Sequence, residues 1–229
     1  MILLQTLARR WYVVVFLAGY VAASVPERGW KATVRFALIA VGIAFAAEYS
    51  STRNGFPFTH YSYTGDTRGD ELYLSNIPAF VPVSYAVMIY AGRAVATLVA
   101  RTRIALIVLS AVATMALDLV VDPVAVRGSQ WFLGNLFHYA SHGPWFGVPL
   151  SNFGGWVLVA AAVIGLDLVL GPGEPVRPAP RGVALAGGVA AFNLGVAFAV
   201  GAIAAGFASL AVVGIMALGL LRRTPEVVA

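Results

Sequence analysis

The chain has 229 residues, of which 60% are hydrophobic and 11% charged, and its mean hydropathy of +0.84 excludes a soluble domain, where about 25% of residues are charged. The absence of cysteine excludes disulfide bonds, thiolate nucleophiles and cysteine-ligated metals. The net charge of +5 comes from scattered arginines, which indicates membrane topology and lipid headgroup contact rather than nucleic-acid binding.

The first half of the chain contains apolar runs of the length that crosses a bilayer, for which about 20 apolar residues suffice. We predict membrane helices over residues 11–25, 31–49 and 77–100. Residues 50–76, between the second and third helices, are too polar to span a membrane and too long for a simple connection. We therefore interpret this segment as a functional loop.

The second half continues the pattern, with helices predicted over 104–122 and 152–170 and two more within the apolar run 183–221. The Gly- and Pro-rich residues 171–180 are typical of a linker. The sequence therefore predicts an all-α, polytopic transmembrane bundle that forms a single integral membrane domain over residues 1–229. We expect seven helices, or six if the first helix or the final pair is misread.

The basic residues indicate which ends of these helices share a side of the membrane. With seven helices, the larger group on one side comprises Arg28, Lys31, Arg35, Arg101, Arg103, Arg177, Arg181, Arg222 and Arg223. The smaller group on the other side comprises Arg9, Arg10, Arg53, Arg68 and Arg127. The positive-inside rule assigns the larger group to the cytoplasm, so we expect a cell-membrane protein. Both long loops, residues 50–76 and 123–151, then lie together on the opposite face.

Two carboxylates, Asp118 and Asp122, lie near the end of the fourth predicted helix. Their i,i+4 spacing places both on one helix face, and Pro123 is expected to end the helix near Asp122. A charge deep in a membrane helix costs about 2.5–3.5 kcal/mol, so a pair on one face indicates a function. Glu48 reaches the same side of the membrane. The alternative is a helix end whose acids lie at the lipid headgroups.

Aromatic and polar residues accumulate beside these carboxylates in the sequence. Candidate members of a shared site are His60, Tyr61, Tyr63, Trp131, Asn152 and Trp156. Carboxyl groups in apolar surroundings can stay protonated near neutral pH, and aromatic faces stabilise a positive charge. This combination suits protonation of a carbon–carbon double bond and protection of the resulting carbocation from water. The alternative role for the aromatic residues is anchoring at the membrane interface.

Two interpretations that involve metal ions are less favoured. His138 and His142 have i,i+4 spacing, but they lie in a Gly- and Pro-containing loop without a nearby acidic cluster, so interfacial hydrogen bonding suits them better. The Asp118–Asp122 element could bind magnesium for a diphosphate, as in membrane prenyltransferases. That chemistry needs a second acidic motif, and Asp167 stands alone. We therefore expect neither a metal nor a cofactor.

Four motifs occur in order within residues 47–156, which form a motif core. They are Glu48-Tyr49 with the segment Gly55–Tyr63, then Pro78–Pro82, Asp118–Pro123 and Gly147–Trp156. Together they resemble the carotenoid biosynthesis membrane family that contains the cofactor-independent carotenoid 1,2-hydratases, including the bisanhydrobacterioruberin hydratase type. The resemblance implies a linear carotenoid substrate held within the lipid bilayer, and it makes other enzymes of the pathway candidate partners.

The resemblance implies a hydratase, which is a carbon–oxygen lyase, that adds water to a terminal isopropylidene double bond. We expect Asp118, the deeper carboxyl, to be the acid, with Glu48 as the competing candidate. Asp122, nearer the water, would be the base. Tyr61, Tyr63, Trp131, Asn152, Trp156 and His60 are expected to bind the substrate.

Two other classes of function remain open on the sequence. The first is another carotenoid or isoprenoid membrane enzyme, such as an acid-initiated cyclase, which must exclude water, or a prenyltransferase. The second is a membrane protein that binds or transports carotenoids without changing them. Pigment mass in a lycopene-producing host separates these classes, because only hydration adds the mass of water.

Overall fold

The structure, a computed structural model, describes residues 1–172 and 176–221. Arg222 and Arg223 of the larger basic group, and part of the predicted linker, lie outside the described residues. Its helices are α1 (Ile2–Arg9), α2 (Trp11–Arg28), α3 (Trp30–Asn54), α4 (Phe80–Ala96), α5 (Arg103–Ala125), α6 (Leu150–Leu170), α7 (Pro180–Ala199) and α8 (Ile203–Leu221). Its strands are β1 (Tyr61–Tyr63), β2 (Tyr73–Leu74), β3 (Ile77–Pro78) and β4 (Phe137–Tyr139). The prediction of an all-α bundle is confirmed.

Helices α2 to α8 correspond to the seven predicted helices, and α1 is an additional helix too short to appear as an apolar span. Among the described residues, four helices are long and apolar enough to cross a membrane: α3, α5, α6 and α7. Helices α1 and α2 together form a fifth candidate span that is bent by 82°. The apolar helices α4 and, within α8, residues 203–218 are shorter. The chain is therefore a membrane protein.

Helix α4 lies at the centre of the bundle, where it contacts α2, α3, α5 and α7. All its residues from Tyr85 to Gly92 are buried. At Gly92 a Cβ atom would lie 2.2 Å from the Oγ1 atom of Thr114 on α5. Only glycine permits this close approach of two helices, which is typical of packing in membranes.

Helix α5 continues through Pro123 to Ala125, so the prediction that it stops near Asp122 is wrong. Proline has no N–H to donate to the carbonyl four residues earlier, which here belongs to Leu119. The indole Nε1 of Trp145 donates to that carbonyl instead, at 3.0 Å. A side chain from the following loop thus replaces the lost hydrogen bond, and Asp118 and Asp122 stay on one continuous helix.

Two further boundaries differ from the prediction. Helix α3 extends into the predicted loop as far as Asn54, where Gly55 ends it with a left-handed backbone conformation. Helix α4 begins at Phe80 rather than at Ile77, because Ile77 and Pro78 form strand β3 and pair with β2. The first difference shortens the first long loop, and the second lengthens it but places Ile77 and Pro78 in a paired strand.

The two long loops lie at the same end of the bundle, which confirms the prediction that they share a face. Strands β1 and β4, one from each loop, pair antiparallel with Tyr61 opposite Tyr139 and Tyr63 opposite Phe137. The first loop also holds the N-terminal segment, because the buried Glu71 accepts two hydrogen bonds from the buried Arg10 at 2.7 and 2.8 Å. These contacts fix both loops over the ends of α3, α4, α5 and α6.

Candidate active site

An acidic pair, Asp118 and Asp122, lies buried on α5 beneath the two loops, and the two residues are 0% and 9% exposed. The side-chain amide Nδ2 of Asn152 donates to Oδ2 of Asp118 at 3.0 Å and to Oδ2 of Asp122 at 2.7 Å. One amide reaches both groups because they are one helical turn apart on the same face. The first turn of α6 therefore bridges the pair predicted from the sequence.

The two members of this pair have different surroundings. The hydroxyl of Tyr139, on β4, donates to Oδ2 of Asp122 at 2.6 Å, so that oxygen has two donors. Oδ1 of Asp118 is buried and has no hydrogen-bond partner among the described residues. Asp118 therefore has less hydrogen-bond support for a negative charge than Asp122.

Glu48, at 4% exposure, is held by three phenols. Tyr61 and Tyr63 donate to Oε2, the latter at 2.6 Å, and Tyr85 donates to Oε1 at 2.6 Å. Tyr61 and Tyr63 reach the same carboxyl because alternate residues of a strand point to the same face. Three donors on one carboxyl offset part of the cost of burying its charged form without a cation.

The loop phenols remain protonated around neutral pH. Burial, followed by the nearby Glu48 carboxylate, raises the pKa of Tyr61 and of Tyr63 well above the usual value. Burial and the nearby Asp122 raise the pKa of Tyr139 in the same direction. These hydroxyl groups therefore act as hydrogen-bond donors to the carboxylates, and they do not themselves carry charge.

All three carboxyls line one cavity of about 200 Å³. The sequence-predicted residues Tyr61, Tyr63, Trp131, Asn152 and Trp156 line it as well. The remaining wall is largely aromatic and apolar, with Tyr12, Phe58, Phe80, Tyr85, Phe137 and Phe192 among its members. The ring of Tyr85 stacks on Trp156 with 4.4 Å between centroids. The cavity thus combines acid groups with aromatic faces that can stabilise a cation.

His60, expected to bind substrate, is exposed and does not line this cavity. It immediately precedes Tyr61, and neighbouring residues in extended backbone point to opposite faces, so Tyr61 faces inward and His60 outward. His138 and His142 are exposed too. Within residues 1–172 and 176–221 no group of three or more His, Asp or Glu side chains could hold a metal ion.

Sequence reasoning missed two donors of the site, Tyr85 and Tyr139. Tyr85 lies within an apolar helix. The only indication of its role in the sequence is its hydroxyl group, which needs a hydrogen-bond partner in lipid or in a packed core. Tyr139 is brought to Asp122 by the pairing of β1 with β4. The alternation in Phe137–Tyr139 suggests a strand, but its partner lies in a distant loop.

Comparison with known families shows that a family described as carotenoid biosynthesis protein matches residues 2–221, which is nearly the whole chain. The chain therefore belongs to the carotenoid biosynthesis protein family, and its role lies in carotenoid biosynthesis. No curated protein and no solved structure matches the chain.

Proposed function

From this family membership we propose that the protein is a carotenoid 1,2-hydratase, which adds water to the terminal isopropylidene double bond of a linear carotenoid. The observation that carries the proposal is a set of three buried carboxyls in an aromatic cavity, none of them paired with a cation among the described residues. Hydration by acid catalysis needs a proton donor, a group that accepts a proton from water, and shelter for a cation.

Asp118 is the proposed acid. It is fully buried and lines the cavity, its one hydrogen-bond donor among the described residues is the amide of Asn152, and none of those residues bonds to its Oδ1 atom. Its proton passes to the CH carbon of the double bond. The bond electrons form the new C–H bond, and a tertiary cation remains at the dimethyl carbon.

Asp122 is the proposed base. The incoming water forms a C–O bond with the cation and gives one proton to this carboxylate, which Tyr139 and Asn152 orient. The reaction consumes one water and no net proton. Two adjacent carboxyls tend to share a single proton, so the proton gained by Asp122 can return to Asp118 through the pair.

Glu48 is the proposed counter-charge to the cation. Its three phenol donors support a carboxylate, and it lines the same cavity as the acidic pair. The stacked faces of Tyr85 and Trp156 add electrostatic stabilisation from the side. The competing assignment makes Glu48 the acid, and the variants below distinguish the two.

The size of the cavity favours binding of one end of the substrate. A volume of about 200 Å³ is below the ~300–1,000 Å³ of pockets that enclose a drug-sized ligand. A long carotenoid would place its end group beside the carboxyls and its polyene along the apolar wall, where Val13 and Phe192 contribute from α2 and α7. The bilayer would hold the rest of the molecule.

The charge of the cavity disfavours a prenyltransferase. A diphosphate substrate requires basic side chains or metal ions around its phosphates. No Lys or Arg of the described residues lines the cavity that holds Asp118. A cyclase would begin with the same protonation, so its product is the decisive difference.

The test is expression in a lycopene-producing host followed by mass analysis of the pigments. A gain of one or two waters supports a hydratase, an isomer of unchanged mass indicates a cyclase, and unchanged lycopene indicates binding or transport. Asp118→Asn, Asp122→Asn and Glu48→Gln should each reduce hydration at equal protein level, with the exposed Asp66→Asn as a matched control. If all three variants hydrate at the wild-type rate, the proposed site is wrong.

A further inference from the structure

A second cavity, of about 380 Å³, lies at the opposite end of the bundle. It is formed where α2 meets α3, beside the ends of α4 and α6 and the start of α5, and the described residues of the linker between α6 and α7 complete its wall. Its charged lining residues are Arg28, Lys31, Arg35, Arg93 and Arg177 on the basic side and Glu27 and Asp167 on the acidic side. Cations therefore outnumber carboxylates in this cavity. The cavity that holds Asp118, Asp122 and Glu48, here called the carboxylate cavity, has the reverse balance of charge.

Both acidic residues already have partners inside the protein. Asp167 accepts from Nη2 of Arg28 at 2.5 Å and from Nε of Arg35 at 3.1 Å. Glu27 accepts the hydroxyl of Tyr90 and the backbone N–H of Arg181, the latter at 2.6 Å, in the first turn of α7. The positive charge that remains in the cavity is not neutralised by these two carboxylates.

Two buried donors in this region have no acceptor among the residues that the structure describes. Nη1 of Arg28 and Nε of Arg93 are both buried, and neither has a hydrogen-bond partner within the part of the chain that the structure describes. Buried polar groups in proteins almost always have partners, so such atoms indicate an acceptor that is not among the described residues. An anionic acceptor suits these donors best, because they belong to guanidinium groups beside a cavity with excess positive charge.

We propose that this cavity binds a phosphate group, carried either by a membrane lipid or by a free phosphate compound. Phosphate oxygens accept several hydrogen bonds from guanidinium groups at once, which suits a cavity lined by four arginines and one lysine. Basic pockets between membrane helices on the cytoplasmic side are suited to lipid headgroups, and this end carries the larger set of basic residues. The site is separate from the carboxylate cavity, since Arg93 lies about 12 Å beyond Tyr85 along α4.

The test measures thermal unfolding of the full purified chain in a neutral detergent, without any carotenoid. Sodium pyrophosphate and phosphatidylglycerol are added separately, with sodium chloride of equal ionic strength and phosphatidylcholine as their controls. At least one phosphate probe should raise the melting temperature. Arg93→Gln should weaken the binding of that probe about tenfold, because a charge-assisted hydrogen bond is lost.

Matched variants separate binding from folding. Lys31→Gln changes an exposed residue of the cavity lining and should weaken binding even if Arg93→Gln does not fold. Arg103→Gln changes an exposed arginine near the same end that does not line the cavity, and it should leave binding unchanged. A response to pyrophosphate supports a free phosphate compound, and a response to phosphatidylglycerol alone supports a lipid headgroup. No response to either probe, or equal binding by the Lys31 and Arg103 variants, would overturn the proposal.

Discussion

The two ends of the bundle both bury carboxylates, but they neutralise them differently. At one end Asp167, 2% exposed, lies between Arg28 and Arg35. At the other end Asp118, Asp122 and Glu48 have only amide and phenol donors among the described residues. An ion pair fixes the charge of both partners, whereas a carboxyl with neutral donors can gain or lose a proton. The comparison separates a carboxylate that holds helices together from carboxyls suited to proton transfer.

Asp118→Asn should produce the largest loss of activity. An amide cannot deliver a proton, and removal of a general acid typically costs about 10²- to 10⁴-fold in rate. Folding should be unaffected or slightly improved, because the variant removes an ionisable group that has no cationic partner among the described residues. Pigment mass analysis gives the rate, and thermal unfolding of the purified protein gives the stability. A variant that loses stability along with activity would place Asp118 with Asp167 as a structural group.

Asp167→Asn should have the opposite effect, a large loss of stability with little change in activity. Removing one partner of a buried ion pair leaves the other charges uncompensated, at a cost of about 3–5 kcal/mol. We expect the low end of that range, about 3 kcal/mol, because Arg28 and Arg35 retain 11% and 25% side-chain exposure. The folded fraction should still hydrate its substrate at close to the wild-type rate. A folded variant without activity would contradict the assignment of Asp167 to stability.

Hydropathy and helix parity account for most of the fold that could be predicted. Apolar runs located α2 to α8 within a few residues, and parity placed both loops on one face. Spacing of four residues identified Asp118 and Asp122 as neighbours. These features follow from local sequence, because a bilayer fixes the length of a span and a helix fixes which side chains share a face.

The features of the fold and of the site that could not be predicted depend on contacts between segments that are distant in sequence. Helix α5 passes Pro123 because Trp145 supplies a hydrogen bond from the following loop. No local sequence pattern predicts this hydrogen bond. Tyr139 reaches Asp122 because β4 pairs with β1 across two loops. Tyr85 reaches Glu48 because α4 packs beside α3. The hydrogen-bond partners of the carboxyls were therefore much harder to predict than the carboxyls themselves.

Loss of a phenol that donates to one of the carboxyls should reduce the rate of hydration by an intermediate amount. Among the described residues, Tyr139→Phe removes one of the two donors to Oδ2 of Asp122, and Tyr85→Phe removes the only donor to Oε1 of Glu48. A hydrogen bond to a charged group contributes about 1.5–3 kcal/mol, so we expect roughly tenfold or greater loss of hydration. Tyr73→Phe, whose hydroxyl bonds to Thr67 in the first loop, is the control and should keep full activity. Equal rates in all three variants would show that the phenols do not tune the carboxyls.

Trp145→Phe should have the smallest effect, and it tests how the acidic end keeps its geometry. The indole N–H satisfies the Leu119 carbonyl, which lies in sequence between Asp118 and Asp122. Phenylalanine keeps an aromatic ring there but cannot donate, so the carbonyl freed by Pro123 loses its partner, at about 1 kcal/mol. For a chain of this size we expect the melting temperature to fall by roughly 2–4 °C.

The same substitution should reduce hydration several-fold, because a loosened turn changes the spacing of the two carboxyls. Trp30→Phe is the matched control, since Trp30 is 62% exposed at the start of α3 and makes no side-chain hydrogen bond to a described residue. Thermal unfolding and pigment mass analysis of both variants give the two measurements. If Trp145→Phe changes neither quantity, α5 does not need the indole to pass Pro123. If stability falls without any change in rate, the spacing of Asp118 and Asp122 is fixed by Asn152 and Tyr139 rather than by the helix between them.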